Sequence, residues 1–362
     1  MANSSTPQAL RPAQQSALLR AWTRRGLTAC LLWPISRLFG ALIWLRRQLY
    51  SVGWFKTRQV DALVIVVGNV VAGGAGKTPT AIALLHHLKA RGHRAGLVSR
   101  GYGRTHSDCR QVNPDSLPQD VGDEPLLIHR ATRVPIFVGR TRHEAATALL
   151  AKYPETEIIL CDDGLQHYGL FRDLEVCVFD DRGIGNGWLL PAGPLREGWP
   201  RQAVAKAGQR GDRLFVLHTG SHPAFAGYVA QRALAPFAVR SDGTTIPLTA
   251  LTGPGATPRV AVAGIAQPES FFSMLRALHL PLVQTVGLPD HYAFDSLPRS
   301  IDGGYSIICT EKDAAKLWQL APDALAIPLV LTIEAAFFEA LDACISERLA
   351  AKLSSVHGHK TT

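Results

Sequence analysis

Residues 73–80 read GGAGKTPT and follow the apolar run ALVIVVGNVV at 62–71. A glycine-rich turn between a buried strand and a helix exposes successive backbone N–H groups at the helix N-terminus, where phosphate binds readily. Gly73, Gly74, Ala75 and Gly76 would form that cradle, Lys77 would reach the β- and γ-phosphates of a nucleotide, and Thr78 would hold Mg2+. Pro79 suits the first helical turn, where its missing N–H costs nothing. One position departs from the strict phosphate-loop pattern: Val71 stands where a glycine is expected six residues before the lysine. A second group lies in IILCDDG, where Asp162 and Asp163 end an apolar strand. An acidic strand end alone is more often a solvated turn. Paired with an upstream phosphate loop it reads as a Mg2+ site, with either carboxylate as the ligand. These residues specify a nucleoside triphosphate and a metal, and leave the acceptor open.

Such groups are positioned by strands alternating with helices. ALVIVVGN reads as a buried strand, and TPTAIALLHHLKARG as a helix stopped at Gly92. RAGLVSRGYGR is a second strand with a glycine-rich end, and RVPIFVGRTR leads into the helix HEAATALLAKY. TEIILCDDG and LEVCVFDD add two more strands. The alternation predicts an α/β fold like that of phosphate-loop NTPases, a parallel sheet with helices on both faces. LTGPGATPR at 251–259 marks a boundary, after which VAVAGIAQPESFFSMLRAL, SIICTEKDAAKL and AIPLVLTIEAAFFEALDACISERL start the pattern afresh. The expected division is a basic, apolar segment over 1–60, a phosphate-loop domain over 61–240, a smaller α/β domain over 241–350 and a polar tail over 351–362.

The formal net charge is +9, and the excess sits at one end. Residues 1–60 carry Arg11, Arg20, Arg24, Arg25, Arg37, Arg46, Arg47, Lys56 and Arg58 but no carboxylate before Asp61. The same end contains GLTACLLWPISRLFGALIWL at 26–45, long enough to just span a bilayer core. Against a span, an arginine such as Arg37 costs about 2.5–3.5 kcal/mol at a membrane centre, and Pro34 weakens the helix. Trp33, Trp44 and Trp54 with flanking arginines suit a segment at the headgroup boundary, lying on the membrane or shallowly inserted. The aliphatic density favours lipid over nucleic acid, and anionic lipid would attract the arginines. Cys30, Cys109, Cys161, Cys177, Cys309 and Cys344 are dispersed and form no C-x-x-C pair, which suits a reducing compartment.

VVGNVVAGGAGKTP, VSRGYGR, VGDEPLL, DDGLQH, GNGWLLPAGPLREG, AGIAQPESFF, LPDHYAF and TEKDAAKL occur in that order. Together they resemble the tetraacyldisaccharide 4′-kinase family, from about residue 15 to about residue 320, and that family also lacks the glycine that Val71 replaces. The resemblance implies transfer of the γ-phosphate of ATP to the 4′-hydroxyl of a tetraacyldisaccharide 1-phosphate, a lipid A precursor, at the cytoplasmic face of a bacterial inner membrane. It makes Asp123, in the G-D-E segment, the catalytic base and His291, in the D-H segment, its partner. It sets Arg196 and Glu197 beside the nucleotide, the glutamate near Mg2+. Ser99 and Tyr102 would line the route to the acceptor sugar, and Arg142 would contact its phosphate, with Arg140 equally close to the pattern. The chemistry agrees with the pair: a free aspartate, with a pKa of about 3.9, cannot deprotonate an alcohol outright, and a neighbouring histidine can orient it or share the proton. Read without the resemblance, Asp123 is a helix N-cap before PLLIHRA and His291 a surface histidine. His86 and His87 carry no role and are expected on the surface. The sequence does not specify an oligomeric state.

Overall fold

The computed structural model describes residues 20–201, 213–253, 255–296, 301 and 304–358. Its first sheet has β1 Leu63–Gly68, β2 Ala95–Ser99, β3 Arg110–Gln111, β4 Ile136–Val138, β5 Ile158–Asp162, β6 Leu174–Phe179, β7 Arg213–His218 and β8 Tyr228–Leu234. A ninth strand, β15 Leu329–Ile333, joins it from the far end of the chain. The order is β15-β8-β7-β6-β1-β5-β2-β4-β3, parallel through the middle and antiparallel at both edges, where β15 pairs β8 and β3 pairs β4. β1 and β5 are buried at every position, as their unbroken apolar runs require of central strands covered on both sides. Leu84, Leu85 and Leu88 of the helix Lys77–Ala90 cover one face, and Ala145, Ala146 and Leu149 of the helix Arg142–Lys152 cover the other. A capping box at Thr141 and Glu144 starts the second of these helices.

The smaller sheet has β9 Phe237–Val239, β10 Thr245–Pro247, β11 Arg259–Ala263, β12 Leu282–Gly287, β13 Ser306–Thr310 and β14 Leu325–Ile327, in the order β10-β9-β14-β13-β11-β12. It therefore begins before the expected boundary at 241 and ends well short of 350. Pro328 divides the apolar run AIPLVLTI, so that its halves enter different sheets. The chain then closes the first sheet with β15 and packs the long helix Ala335–Gly358 on it, burying Phe337, Leu341, Cys344 and Ile345. That helix continues through 351–358, where a polar tail was expected. His87, far from being a surface group, holds it down: Nε2 meets Asp342 at 2.8 Å and the ring stacks on Phe338.

The helix Leu27–Ser51 runs unbroken through Pro34 and is the one described helix long and apolar enough to cross a membrane. It docks by a narrow seam. Ala29 and Ser36 are buried, Ser36 Oγ donates to Leu189 O at 2.8 Å, and Gly40 lies so close to Leu189 that a β-carbon would sit 2.8 Å from it. Leu27, Leu31, Ile35, Leu38, Leu42 and Leu45 are exposed and recur every three or four residues, which puts them on one stripe opposite the seam.

Phe337 is fully buried between Phe215 and Tyr228. Phe337→Ala should destabilise the first unit by about 3–5 kcal/mol, the usual cost of emptying a buried aromatic site. A urea unfolding midpoint unchanged from wild type would remove the last helix from that core.

Candidate active site

The loop after β1 is folded by Asn69, whose amide donates to the carbonyls of Val71 at 2.6 Å and Gly73 at 3.1 Å and accepts from Lys77 Nζ at 3.3 Å. Gly73 and Gly76 have φ of 96° and 89°, which side chains resist, and a β-carbon at Gly76 would also meet Arg232 and Thr219. Val71 is tolerated for the opposite reason. It forms an isolated bridge with Leu195, with Ala72 N–H donating to Pro194 O and Arg196 N–H to Val70 O, so this stretch is extended and needs no glycine. The same bridge brings Arg196 to the loop. Arg182, paired with Asp180 at 2.7 Å, clasps the loop through the carbonyls of Ala72 and Gly74.

β5, adjacent to β1, ends in the acidic turn. Arg142 Nη2 donates to the carbonyls of Asp162 at 3.1 Å and Asp163 at 2.8 Å and so fixes it. The two carboxylates have opposite surroundings. Asp163 contacts Lys77 at 3.1 Å and Arg196 at 3.3 Å; burial works against its charge, but these cations hold its pKa below the usual range. Asp162 is buried and neither oxygen has a hydrogen-bond partner. Burial, and then the charges of Glu124 and Asp163, push its pKa up to about 7. A buried carboxylate with two vacant oxygens, in the cleft that Thr78 also lines, is a donor set suited to Mg2+. Among the described residues no cluster of three or more metal-ligating side chains exists, so a metal here would draw its other ligands from water and nucleotide.

The second unit supplies the facing wall. Asp313, at the start of the helix Glu311–Leu317, accepts from Gly264 N–H at 2.9 Å, and Gly264 O in turn accepts from His291 N–H at 3.2 Å. This chain of bonds holds His291 at a φ of 59°. Its Nδ1 lies 3.2 Å from Asp123 Oδ2, and Lys316 Nζ donates to the same oxygen at 2.7 Å. Burial opposes the Asp123 charge, but these two partners bring its pKa below the usual range. A cleft of about 900 Å³ lies between the walls, lined by Gly73–Thr78, Ser99, Tyr102, Arg142, Asp162, Asp163 and Arg196 from the first unit and by His291 and Lys312 from the second.

Residues 28–350 match the family model described as tetraacyldisaccharide-1-P 4′-kinase. The chain belongs to this family. It is 53% identical over 336 residues to the tetraacyldisaccharide 4′-kinase of Verminephrobacter eiseniae, covering 91% of this chain and 75% of the relative. It is 51% identical over 356 residues to that of Polaromonas naphthalenivorans, covering 96% and 100%. The solved structure of LpxK from Aquifex aeolicus in complex with ATP superposes with a TM-score of 0.73 at 26% identity, over 89% of this chain and 99% of that one.

Most residues expected of a tetraacyldisaccharide 4′-kinase site line the cleft, Asp123 standing behind His291 rather than on the lining, with three qualifications. Asp123 opens the helix Asp123–Thr132 but does not cap it; the cap residue is Gly122, and the carboxylate turns to His291 and Lys316. Glu197 does not face the cleft. It is 1% exposed and is bound by Gln166, Tyr168 and Arg201, so it steadies Gln166, which does line the cleft. Arg142 lines the cleft and Arg140 does not, although the Arg142 Nη2 is already used on the acidic turn. Tyr102, 75% exposed, leans over His291 with ring centroids 5.3 Å apart. Lys312, Lys316, Glu124 and Arg232 were not singled out from the sequence. The TEKDAAKL motif contained the first two, spaced to share a helix face.

Asp162→Asn should leave metal-free ATP binding near wild type and remove the gain in affinity that Mg2+ brings, as read by titration calorimetry in the presence and absence of the ion. A full Mg2+ effect in this variant would assign the metal to Asp163.

Proposed function

We propose that this protein, by its family an ATP-dependent kinase that phosphorylates tetraacyldisaccharide 1-phosphate at the 4′ position, performs the transfer in the cleft between its two sheets. The observation that carries this reading is the convergence of two half-sites on one cleft: the loop with Lys77, Thr78 and Asp162 on one wall, and His291, backed by Asp123, on the other. The backbone N–H groups of Gly73–Lys77 would cradle the phosphates of ATP, and Lys77 would leave Asp163 for the γ-phosphate as charge gathers there. Mg2+, held by Asp162 and Thr78, would neutralise charge on the β- and γ-phosphates. Arg196, beside Asp163, would add a second cation on the nucleotide side. Ser99 and Tyr102 would border the acceptor sugar, and Arg142 is the candidate for its phosphate.

Asp123 would take the proton of the 4′-hydroxyl as its oxygen attacks. Because its pKa is lowered, the carboxylate is the form present at neutral pH and is lost only as pH falls through that lowered value. Removing His291 takes away one of the partners that lower it, so the acidic limb of the rate profile should move to higher pH in His291→Ala. General-base help is worth roughly 10²–10⁴ in rate, so Asp123→Ala and His291→Ala should each lower kcat on that scale with little change in KM for ATP. The double variant should fall little further than the worse single one, because groups acting as a unit are not additive. The assay is transfer of label from the γ-phosphate of ATP into an organic-soluble product. Label released only as inorganic phosphate would indicate a hydrolytic switch, and losses that multiply would separate the two residues.

The exposed stripe of the helix Leu27–Ser51 supports association with the inner membrane, apolar face in the headgroup–acyl boundary, on the cytoplasmic side where ATP is available. Leu31, Leu38 and Leu42 changed together to Ser should reduce flotation with anionic liposomes and weaken use of the lipid acceptor while ATP binding holds. Flotation unchanged from wild type would overturn the assignment of this face.

A further inference from the structure

Lys316 Nζ donates to the oxygen of Asp123 that His291 Nδ1 also meets, at 2.7 and 3.2 Å. Lys312, one turn earlier on the same helix face, lies with its Nζ 3.3 Å from His291 Nε2. We propose that these two lysines are positioning residues for the Asp123–His291 pair: Lys316 reserves Oδ1 of Asp123 for the acceptor hydroxyl, and Lys312, set against Nε2, fixes the His291 tautomer that carries its proton on Nδ1. The inference rests on the reading of Asp123 as the proton acceptor.

The donor inventory decides the tautomer. An ammonium group only donates, so Lys312 meets the Nε2 lone pair, and the single ring proton of His291 is left on Nδ1, aimed at Asp123. Among the described residues, the charged groups around the ring are these. Asp123 and Lys316 face Nδ1; Lys312 faces Nε2, which has Asp290 at 3.9 Å, and Lys312 itself meets Asp290 at 3.0 Å and Glu124 at 3.7 Å. Asp290 and Glu124 keep Lys312 charged: burial works against its charge, and these carboxylates raise its pKa nonetheless. The tilted ring of Tyr102 closes the remaining side without a charge.

On the carboxylate, both donors gather on Oδ2, and Oδ1 accepts no hydrogen bond from the described residues. The 4′-oxygen forms its bond to the γ-phosphorus as its proton passes to Oδ1. The bond from that phosphorus to the β–γ bridging oxygen breaks, and its electron pair leaves with ADP. His291 keeps one proton throughout, and the proton on Oδ1 departs to solvent when product leaves. Lys316 also lowers the Asp123 pKa, so the carboxylate stays ionised to lower pH than His291 alone would allow.

The test uses the full-length chain with isotope-labelled histidine nitrogens and the variants Lys312→Met, Lys316→Met and Lys316→Arg. In the wild type, the His291 resonances, assigned by their loss in His291→Gln, should show the proton on Nδ1. In Lys312→Met they should show mixed tautomers. Lys316→Met should move the acidic limb of kcat upward by about one pH unit or more, since a nearby cation lowers a carboxylate by about 1–3 units, and should lower kcat about tenfold or more, within the worth of general-base help. KM for ATP should hold, and Lys316→Arg should restore the limb. A wild-type His291 protonated on Nε2, or a limb unmoved in Lys316→Met, overturns the proposal. The tautomer is read without turnover, so it stands or falls apart from the base assignment, which the Asp123 and His291 variants decide.

Discussion

The guanidinium of Arg142, buried beneath the cleft, bonds the two carbonyls at the end of β5, and the rest of the site depends on that grip. Binding carbonyls rather than carboxylates is the important choice. It orders the turn without neutralising either aspartate, and leaves Asp163 to Lys77 and Arg196 and Asp162 to no protein partner. An isolated buried charge is costly, and Asp162 responds with a pKa near 7. A divalent ion would remove that cost, so the strain and the metal affinity are one property. The same arginine, after burial itself, helps push His167 down to about 3, which keeps that ring neutral beside the acidic turn.

The two walls of the cleft use opposite electrostatic strategies. On the wall of the glycine-rich loop, cations outnumber the carboxylate they touch: Lys77 and Arg196 share Asp163, a surplus that phosphate can take up. On the facing wall, Asp123 and Asp290 hold Lys316 and Lys312 in place, and both donors to Asp123 gather on one carboxylate oxygen. Attack of a neutral hydroxyl needs a local base, whereas transfer of a phosphoryl group needs surrounding positive charge.

Much of this was legible in the sequence, because it is local. The buried strand, the glycine turn and the acidic strand end are each written within ten residues, and the structure sets them side by side through the pairing of β1 with β5. What was not legible depends on direction and distance. Arg196 and Glu197 are neighbours in a bend, yet their side chains part: one reaches Asp163 beside the loop and the other is buried against Gln166, Tyr168 and Arg201. Lys312 and Lys316 have the spacing of a solvated helix face. Only the tertiary fold brings Asp123 to them, across nearly 200 residues. Pro328 was the overlooked signal: a proline in an apolar run is poorly suited to the middle of a strand, and here it separates β14 from β15.

The crossings between the two units lie together. The chain leaves the first sheet at Ala235 and re-enters at Pro328, and Ala235 N–H donates to Pro328 O at 2.9 Å. The smaller unit is thus an insertion whose ends emerge side by side, interrupting a sheet finished only by β15 and the last helix. On the ribosome, the first sheet exists with an open β8 edge for as long as the insertion takes to be made. Its last strand and covering helix arrive afterwards. The contacts of β8 with β15 span about a hundred residues of chain, the kind of non-local pairing that slows folding. An insertion that folds promptly, bringing its two ends together, shortens that search to a turn. The bond between Ala235 and Pro328 thus sets β15 down beside the β8 edge that it covers.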